Sequence, residues 1–302
     1  MLEGRDKFNG EGSLHADAVP TTRTVLLRSS VALVEDLRSA GVPWRHAPED
    51  YSAAFQVCLP YHGVFVWHVA SDEVVGDPNQ VLFVQGGEPF RIAQRDPHPY
   101  AELIITPGRT WHEPACHESL SRHPLFRQRS RRADPRLQLA LARLRHQSVA
   151  RLIDNLYLEE AVVHLLQNAL ETTGPIAPPS VTTRRLLGRT KEFLHAHLVE
   201  PLRLDDIAQA AGVSAPYLTD LFRRLEGVSL HRYLTQLRLA RALVDLPHCS
   251  DLTTLALALG FSSHSHFTAT FRRVYGCTPS VFRAATTRDQ TKVSCDVPCQ
   301  TT

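Results

Sequence analysis

Two short stretches in the last third of this 302-residue chain carry hydrogen-bonding and cationic side chains at helical spacing. The first offers Ala215, Pro216, Tyr217, Thr219, Asp220, Arg223 and Arg224. The second offers His264, Ser265, His266, Thr268, Ala269, Arg272 and Arg273. Hydroxyl, imidazole and guanidinium groups near the start of a helix can reach base edges in a major groove, and paired arginines can neutralise phosphates. With Ser214 and Ser263 added, the candidate DNA-contacting set is Ser214, Pro216, Tyr217, Thr219, Asp220, Arg223, Arg224, Ser263, His264, Ser265, His266, Thr268, Arg272 and Arg273. No Gly-rich phosphate loop or nucleophile elbow is present, and no residue is assigned a catalytic role.

These faces need elements to hold them, and an internal repeat supplies the pattern. Ile207-Ala208-Gln209-Ala210-Ala211-Gly212-Val213 recurs as Leu255-Ala256-Leu257-Ala258-Leu259-Gly260-Phe261, and the match resumes at Leu218/Phe267, Phe222/Phe271, Arg223-Arg224/Arg272-Arg273 and Gly227/Gly276. Each copy reads as a helix-turn-helix. Ala208 and Ala256 are small enough for close helix crossing. Gly212 and Gly260 suit a left-handed turn. Ser214, and either Ser262 or Ser263, can cap the second helix. Leu218, Leu221, Phe222 and Leu225 form one buried stripe, and Phe267, Phe271 and Val274 the other. Leu230 to Leu246 reads as one long helix between the copies, carrying Arg232, Arg238 and Arg241. The plain alternative is two helical hairpins that merely pack, with Arg-Arg as a solvated face.

The segment resembles the DNA-binding domain of the AraC/XylS family of transcription regulators. The resemblance rests on Leu204-Asp205-Asp206-Ile207-Ala208, Gly212-Val213-Ser214, Tyr217-Leu218, Leu221-Phe222-Arg223, Tyr233 and Leu237-Arg238-Leu239-Ala240-Arg241-Ala242. It continues through Leu246, Ala256, Gly260-Phe261, His266-Phe267, Phe271-Arg272-Arg273, Gly276, Thr278-Pro279-Ser280 and Phe282-Arg283. It covers about a third of the chain. It implies a seven-helix, bipartite domain reading two adjacent major-groove segments. Asp220 departs from the pattern: a carboxylate there is repelled by phosphate, although it can accept from cytosine N4. The second reader is therefore expected to discriminate bases more than the first.

The preceding half has another texture. Val25 to Ala40 has apolar residues at helical spacing. Phe55–Leu59, Gly63–Val69, Gln80–Val84 and Glu102–Thr106 read as short strands, divided by turns at Gly76-Asp77-Pro78-Asn79, Gly86-Gly87 and Arg95-Asp96-Pro97. A basic loop runs from Arg122 to Arg132, and Pro135 to Glu171 reads as two helices, striped by Leu137, Leu141 and Leu144 and by Leu152, Leu156, Leu158, Val162, Val163, Leu165 and Leu166. Residues 51–120 resemble the cupin-like sensor domains of the same family, through Asp77-Pro78-Asn79-Gln80-Val81-Leu82-Phe83 and Gly86-Gly87-Glu88-Pro89-Phe90-Arg91. That resemblance implies a small-molecule or dimerisation role. Six histidines lie between residues 51 and 123: His62, His68, His98, His112, His117 and His123. His62 and His68 could share a strand face, but the spacing of a cupin metal site is absent, and no metal or cofactor is expected.

The expected fold class is α+β: an N-terminal cupin-like β-barrel with a helical pair, then an all-α domain with two helix-turn-helix units. The expected segments are a flexible leader 1–22, a sensor and dimerisation domain 23–171, a linker 172–183, the DNA-binding domain 184–285 and a disordered tail 286–302. Residues 184–285 hold 13 Lys/Arg against 8 Asp/Glu, whereas residues 1–183 hold 18 against 21, an imbalance that suits a polyanion partner. The six cysteines are scattered and read as free thiols. With no signal sequence or spanning segment in the pattern, a cytoplasmic protein with no membrane partner is expected. The implied partners are double-stranded operator DNA, a small-molecule effector, RNA polymerase and a second copy in a homodimer, with activation as the mode. The competing readings are a cupin metalloenzyme fused to a DNA-binding tail and a regulator without an effector.

Overall fold

The structure, a computed structural model, describes residues 21–43, 47–70, 72–108, 129–149, 154–170 and 180–287. Ten strands precede nine α-helices within those residues. The strands are β1 (Thr21–Arg28), β2 (Ala32–Ser39), β3 (Asp50–Tyr51), β4 (Gln56–His62), β5 (Phe65–Val69), β6 (Asp72–Gly76), β7 (Gln80–Val84), β8 (Pro89–Ala93), β9 (Tyr100–Pro107) and β10 (Ser130–Arg132). They form an antiparallel six-stranded sheet, in the order β1-β2-β9-β4-β7-β10, and a four-stranded sheet, β3-β8-β5-β6.

Side-chain alternation decides what each face of the larger sheet meets. Val57, Leu59, Val81, Phe83, Leu103 and Ile105 point to one side, where α1 (Pro135–Val149) and α2 (Asn155–Leu170) cover them with Leu137, Leu141, Val162 and Leu165. Cys58, Leu82, Val84 and Ile104 point the other way and pack on Phe65, Trp67 and Val69 of the smaller sheet. Every residue of β7 is consequently buried. The described strands make two open, stacked sheets rather than a closed barrel, so the barrel expectation is corrected. The larger sheet ends on β1 and β10, and among the described residues no strand joins those edges.

The helix expected over Val25–Ala40 is instead the β1–β2 hairpin. Its apolar spacing suited a helix, but pairing decided the outcome: β2 lies along all of β9, from Ala32 opposite Pro107 to Ser39 opposite Tyr100, and β1 then pairs on its other side. Thr21 and Thr22 belong to β1 rather than to a leader. The end of the expected basic loop, Ser130–Arg132, is β10, and residues 122–128 of that loop lie outside the described residues. The helical pair is present, but Leu156 is 67% exposed and not part of the stripe. Leu152 lies outside the described residues.

The last part holds α3 (Val181–Ala196), α4 (Leu204–Ala211), α5 (Ala215–Glu226), α6 (Leu230–Asp245), a single 3-10 turn (Leu246–His248), α7 (Leu252–Ala258), α8 (His264–Tyr275) and α9 (Pro279–Thr287). Two separate cores hold them. Leu194, Ile207, Leu218, Phe222 and Tyr233 form the first. Leu239, Leu246, Ala256, Phe267, Phe271 and Phe282 form the second, joined by Ala142 from α1. Thr286, placed in the tail by the sequence, is buried in α9. Among the described residues no helix is long and apolar enough to cross a membrane. Cys58, Cys249 and Cys277 are free thiols.

Candidate nucleic-acid interface

The sequence repeat reappears as a repeat of hydrogen bonds. At the end of α4, Gly212 N–H donates to the Gln209 carbonyl (3.0 Å) and Val213 N–H to the Ala208 carbonyl (3.1 Å). At the end of α7, Gly260 N–H donates to the Leu257 carbonyl (2.9 Å) and Phe261 N–H to the Ala256 carbonyl (3.0 Å). Both pairs are Schellman-type closures, and they require the left-handed φ of +76° at Gly212 and +77° at Gly260. Ala208 and Ala256 are buried at the crossings, as their size predicts.

The helix after each turn is anchored differently. Ser263 accepts from the His266 N–H at 3.1 Å and caps α8, which resolves the choice between Ser262 and Ser263. Ser262 instead meets His266 Nδ1 at 3.1 Å. Ser214 occupies the cap of α5, but its side chain makes no capping bond, and Pro216 at the helix start supplies the local bias. Leu218, Leu221 and Phe222 are buried under α5 while Leu225 is half-buried. Phe267, Thr270, Phe271 and Tyr275 are buried under α8 while Val274 is half-buried.

The opposite faces are largely exposed, with Ala215 half-buried at the start of α5. Pro216, Tyr217, Thr219, Asp220, Arg223 and Arg224 are exposed on α5. Ser265, His266, Arg272 and Arg273 are exposed on α8, with His264 and Thr268 half-buried beside them. Asp220 lies 3.8 Å from Arg224 one turn on, so it partly offsets that charge. No acidic side chain sits on the exposed face of α8. His264 Nε2 meets the Thr268 hydroxyl at 3.3 Å, and the His266 ring stands edge-on to Phe261. The arginines expected on the connecting helix divide by role. Arg232 is exposed. Arg238 donates to the carbonyls of Leu198 (2.7 Å), Gly260 (2.8 Å) and Glu200 (2.9 Å), tying the α3–α4 connection to the turn of the second helix pair. Arg241 pairs with Asp245 at 2.8 Å.

The sequence reading did not identify the contact between the two halves of the chain. The β6–β7 turn, Asp77–Gln80, inserts against α3 and α6. Asp77 is wholly buried and accepts from the Tyr233 hydroxyl, with His195 Nε2 3.8 Å away. Burial raises its pKa, but contacts with His195, Lys191 and Tyr233 more than offset that and hold the carboxyl below its usual value. Lys191 pairs with Glu226 at 2.7 Å, both nearly buried, and Arg132 bonds Gln236 and the Glu226 carbonyl. The available signal was slight: Asp77-Pro78-Asn79-Gln80 is an ordinary turn sequence, and its polar groups could equally have faced water.

His62 and His68, which the sequence allowed on one face, lie on β4 and β5, in different sheets. His62 faces Arg241 at 3.4 Å. Burial, then Arg241, His195 and His98, push its pKa down to about 4. Among the described residues no three His, Cys, Asp or Glu side chains converge as metal ligands. His112, His117 and His123 lie outside those residues.

Comparison with known proteins defines the class. A helix-turn-helix domain family matches residues 207–285. The regulatory protein SoxS of Salmonella typhimurium is 34% identical over 93 residues, which cover 30% of this chain and 87% of that protein. The regulatory protein PocR of the same organism is 31% identical over 113 residues, 37% of this chain and 36% of that protein. A solved AraC-type transcriptional regulator structure from Chromobacterium violaceum is 34% identical, with 36% of this chain and 99% of that one covered and a TM-score of 0.34. The chain belongs to the AraC family of helix-turn-helix transcription regulators. Its match spans 36–42% of the length of the first curated relatives.

Proposed function

We propose that the protein is a sequence-specific, DNA-binding transcription regulator that reads two adjacent major-groove segments through two helix-turn-helix units, α4–α5 and α7–α8. One observation carries the reading: both pairs close with the same hydrogen bonds, and both turn an arginine pair and a row of hydroxyls away from the core. The contacting residues are Ser214, Pro216, Tyr217, Thr219, Asp220, Arg223 and Arg224 on one unit, and Ser263, His264, Ser265, His266, Thr268, Arg272 and Arg273 on the other. The units are unequal. The α8 face carries hydroxyls, imidazoles and two unopposed guanidiniums, suited to base edges and phosphate. On α5, Asp220 weakens phosphate contact, and that unit serves more for placement.

The N-terminal half acts as an effector domain, and RNA polymerase and a second copy of the chain are the protein partners. The space between the sheets is filled by Phe65, Trp67 and Leu82, so a sheet-enclosed effector site is not favoured. Two cavities at the boundary with α3 suit a small molecule better. One, of about 680 Å³, is lined by His68, Val75, Arg95, Arg184 and Arg189. The other, of about 460 Å³, is lined by Tyr61, His62, His98, His195 and Arg241.

The test is selection of duplexes from random-sequence DNA by the full chain, followed by anisotropy titration. A selected sequence bound at least about a thousandfold more tightly than unrelated DNA is the expected result. Uniform binding of all duplexes refutes the reading. Asp220→Ala should change affinity without changing the selected sequence, and an altered base preference would restore a reading role to Asp220.

A further inference from the structure

Helices α5 and α8 are each held at the C-terminal end by a buried amide, Gln80 and Gln138, and both amides belong to one hydrogen-bonded network around the β6–β7 turn. Helix α5 ends in Glu226, whose carboxylate accepts from Gln80 Nε2 at 3.1 Å. Helix α8 ends in Tyr275, whose hydroxyl donates to Gln138 Oε1 at 3.1 Å. Gln138 in turn donates through Nε2 to the Pro78 carbonyl (2.6 Å) and to Asn79 Oδ1 (3.0 Å). Asn79 Nδ2 donates to the Tyr233 carbonyl of α6 at 3.3 Å. A continuous path therefore runs Glu226–Gln80–Asn79–Gln138–Tyr275, from one reader to the other, through the β6–β7 turn and α1.

We propose that the β6–β7 turn is a brace that sets the separation and relative rotation of α5 and α8, making Asn79, Gln80 and Gln138 positioning residues for operator spacing. The inference rests on the DNA-binding reading above. Three points support it. The two readers sit on separate cores, and within their own domain α6 and Arg238 bridge them. One helix between two modules leaves freedom to twist, which a second, off-axis link removes. The linking groups are also neutral amides that are 0%, 5% and 6% exposed at Asn79, Gln80 and Gln138. An amide is a poor choice for adhesion, because its burial costs stability unless its bonds are made. Its directional bonds instead specify orientation. Finally, major-groove segments recur about every 10 base pairs, and each added pair rotates the second segment by roughly 34–36°, so a fixed reader geometry must appear as a spacing preference.

The experiment uses the full chain and a duplex it has selected from random-sequence DNA, with one or two base pairs inserted or deleted between the two contacted segments. The unaltered protein should lose about tenfold or more in affinity at each changed spacing. Asn79→Ala and Gln138→Leu should bind the original spacing two- to fivefold more weakly, and the differences among spacings should shrink below threefold. Tyr275→Phe, which deletes one hydroxyl, should flatten the profile in the same direction and serves if the others do not fold. Arg273→Ala should weaken all spacings alike. A folded Tyr275→Phe, Asn79→Ala or Gln138→Leu protein that keeps the original spacing profile overturns the brace while leaving DNA binding intact, as does a spacing-indifferent unaltered protein. Failure to select any DNA overturns the DNA-binding reading, and the brace with it.

Discussion

Replacing Tyr233 by phenylalanine deletes one hydroxyl at the junction between the two halves of the chain. The ring itself should stay, since it packs edge-on to Phe222 with centroids 5.1 Å apart and has Arg132 over its face at 5.3 Å. What is lost is the donor to Asp77, a wholly buried carboxylate. Hydrogen bonds to charged groups contribute about 1.5–3 kcal/mol, and a buried acceptor deprived of its donor keeps its desolvation cost. Lys191 and His195 remain near Asp77, so the charge is not abandoned and a loss of about 2 kcal/mol is expected. That is roughly a thirtyfold shift in the folding equilibrium, since about 1.4 kcal/mol is tenfold. Urea unfolding followed by circular dichroism measures it. A cycle with Asp77→Asn and the double variant isolates the pair, and the coupling should exceed about 1 kcal/mol. Single effects that add within about 0.5 kcal/mol would refute the assignment, because residues sharing no interaction are additive to that level.

Three other outcomes follow from the same geometry. Gly260→Ala should destabilise more than Gly212→Ala, by about 1–3 kcal/mol in thermal or urea unfolding: both incur left-handed strain, but at 260 the new Cβ meets the Val199 carbonyl at 2.6 Å, while at 212 it meets nothing. Arg272→Ala and Arg273→Ala should each weaken DNA binding at all sequences and reduce the slope of log affinity against log salt by about 1, read from titrations at several salt concentrations; an unchanged slope would remove them from the phosphate contacts. Stability should fall on acidification from pH 6.5 towards 4.5. His62 and His146, each lowered to about 4 chiefly by burial, take up protons on unfolding in that window. Glu102, raised to about 7 by burial, gives one up. The net uptake of one proton corresponds to about 1.4 kcal/mol per pH unit. Urea midpoints at pH 6.5 and 5.5 check this, and Glu102→Gln should steepen the fall.

The sequence by itself determined the two helix-turn-helix units. Each helix pair is local: the small alanine, the left-handed glycine, the buried stripe and the arginine pair all fall within about 20 residues, and the second copy repeats them. Short-range steric and capping preferences fix such a unit wherever it sits, which is why most of the exposed residues of α5 and α8 were legible, while Ala215, His264 and Thr268 are half-buried. The first 110 residues were less legible. Apolar spacing over 25–40 fitted a helix, and only the eight-residue ladder with β9, some 65 positions away, made it a strand. Least legible was the junction. Tyr233 and Asp77 are 156 positions apart, and Gln138 and Tyr275 are 137 apart. Nothing in the local pattern of a Asp-Pro-Asn-Gln turn distinguishes one that faces water from one that holds two helices. That distinction comes from shape and from donors meeting acceptors across separate layers, so only the tertiary structure decides how the two helix pairs are set against each other.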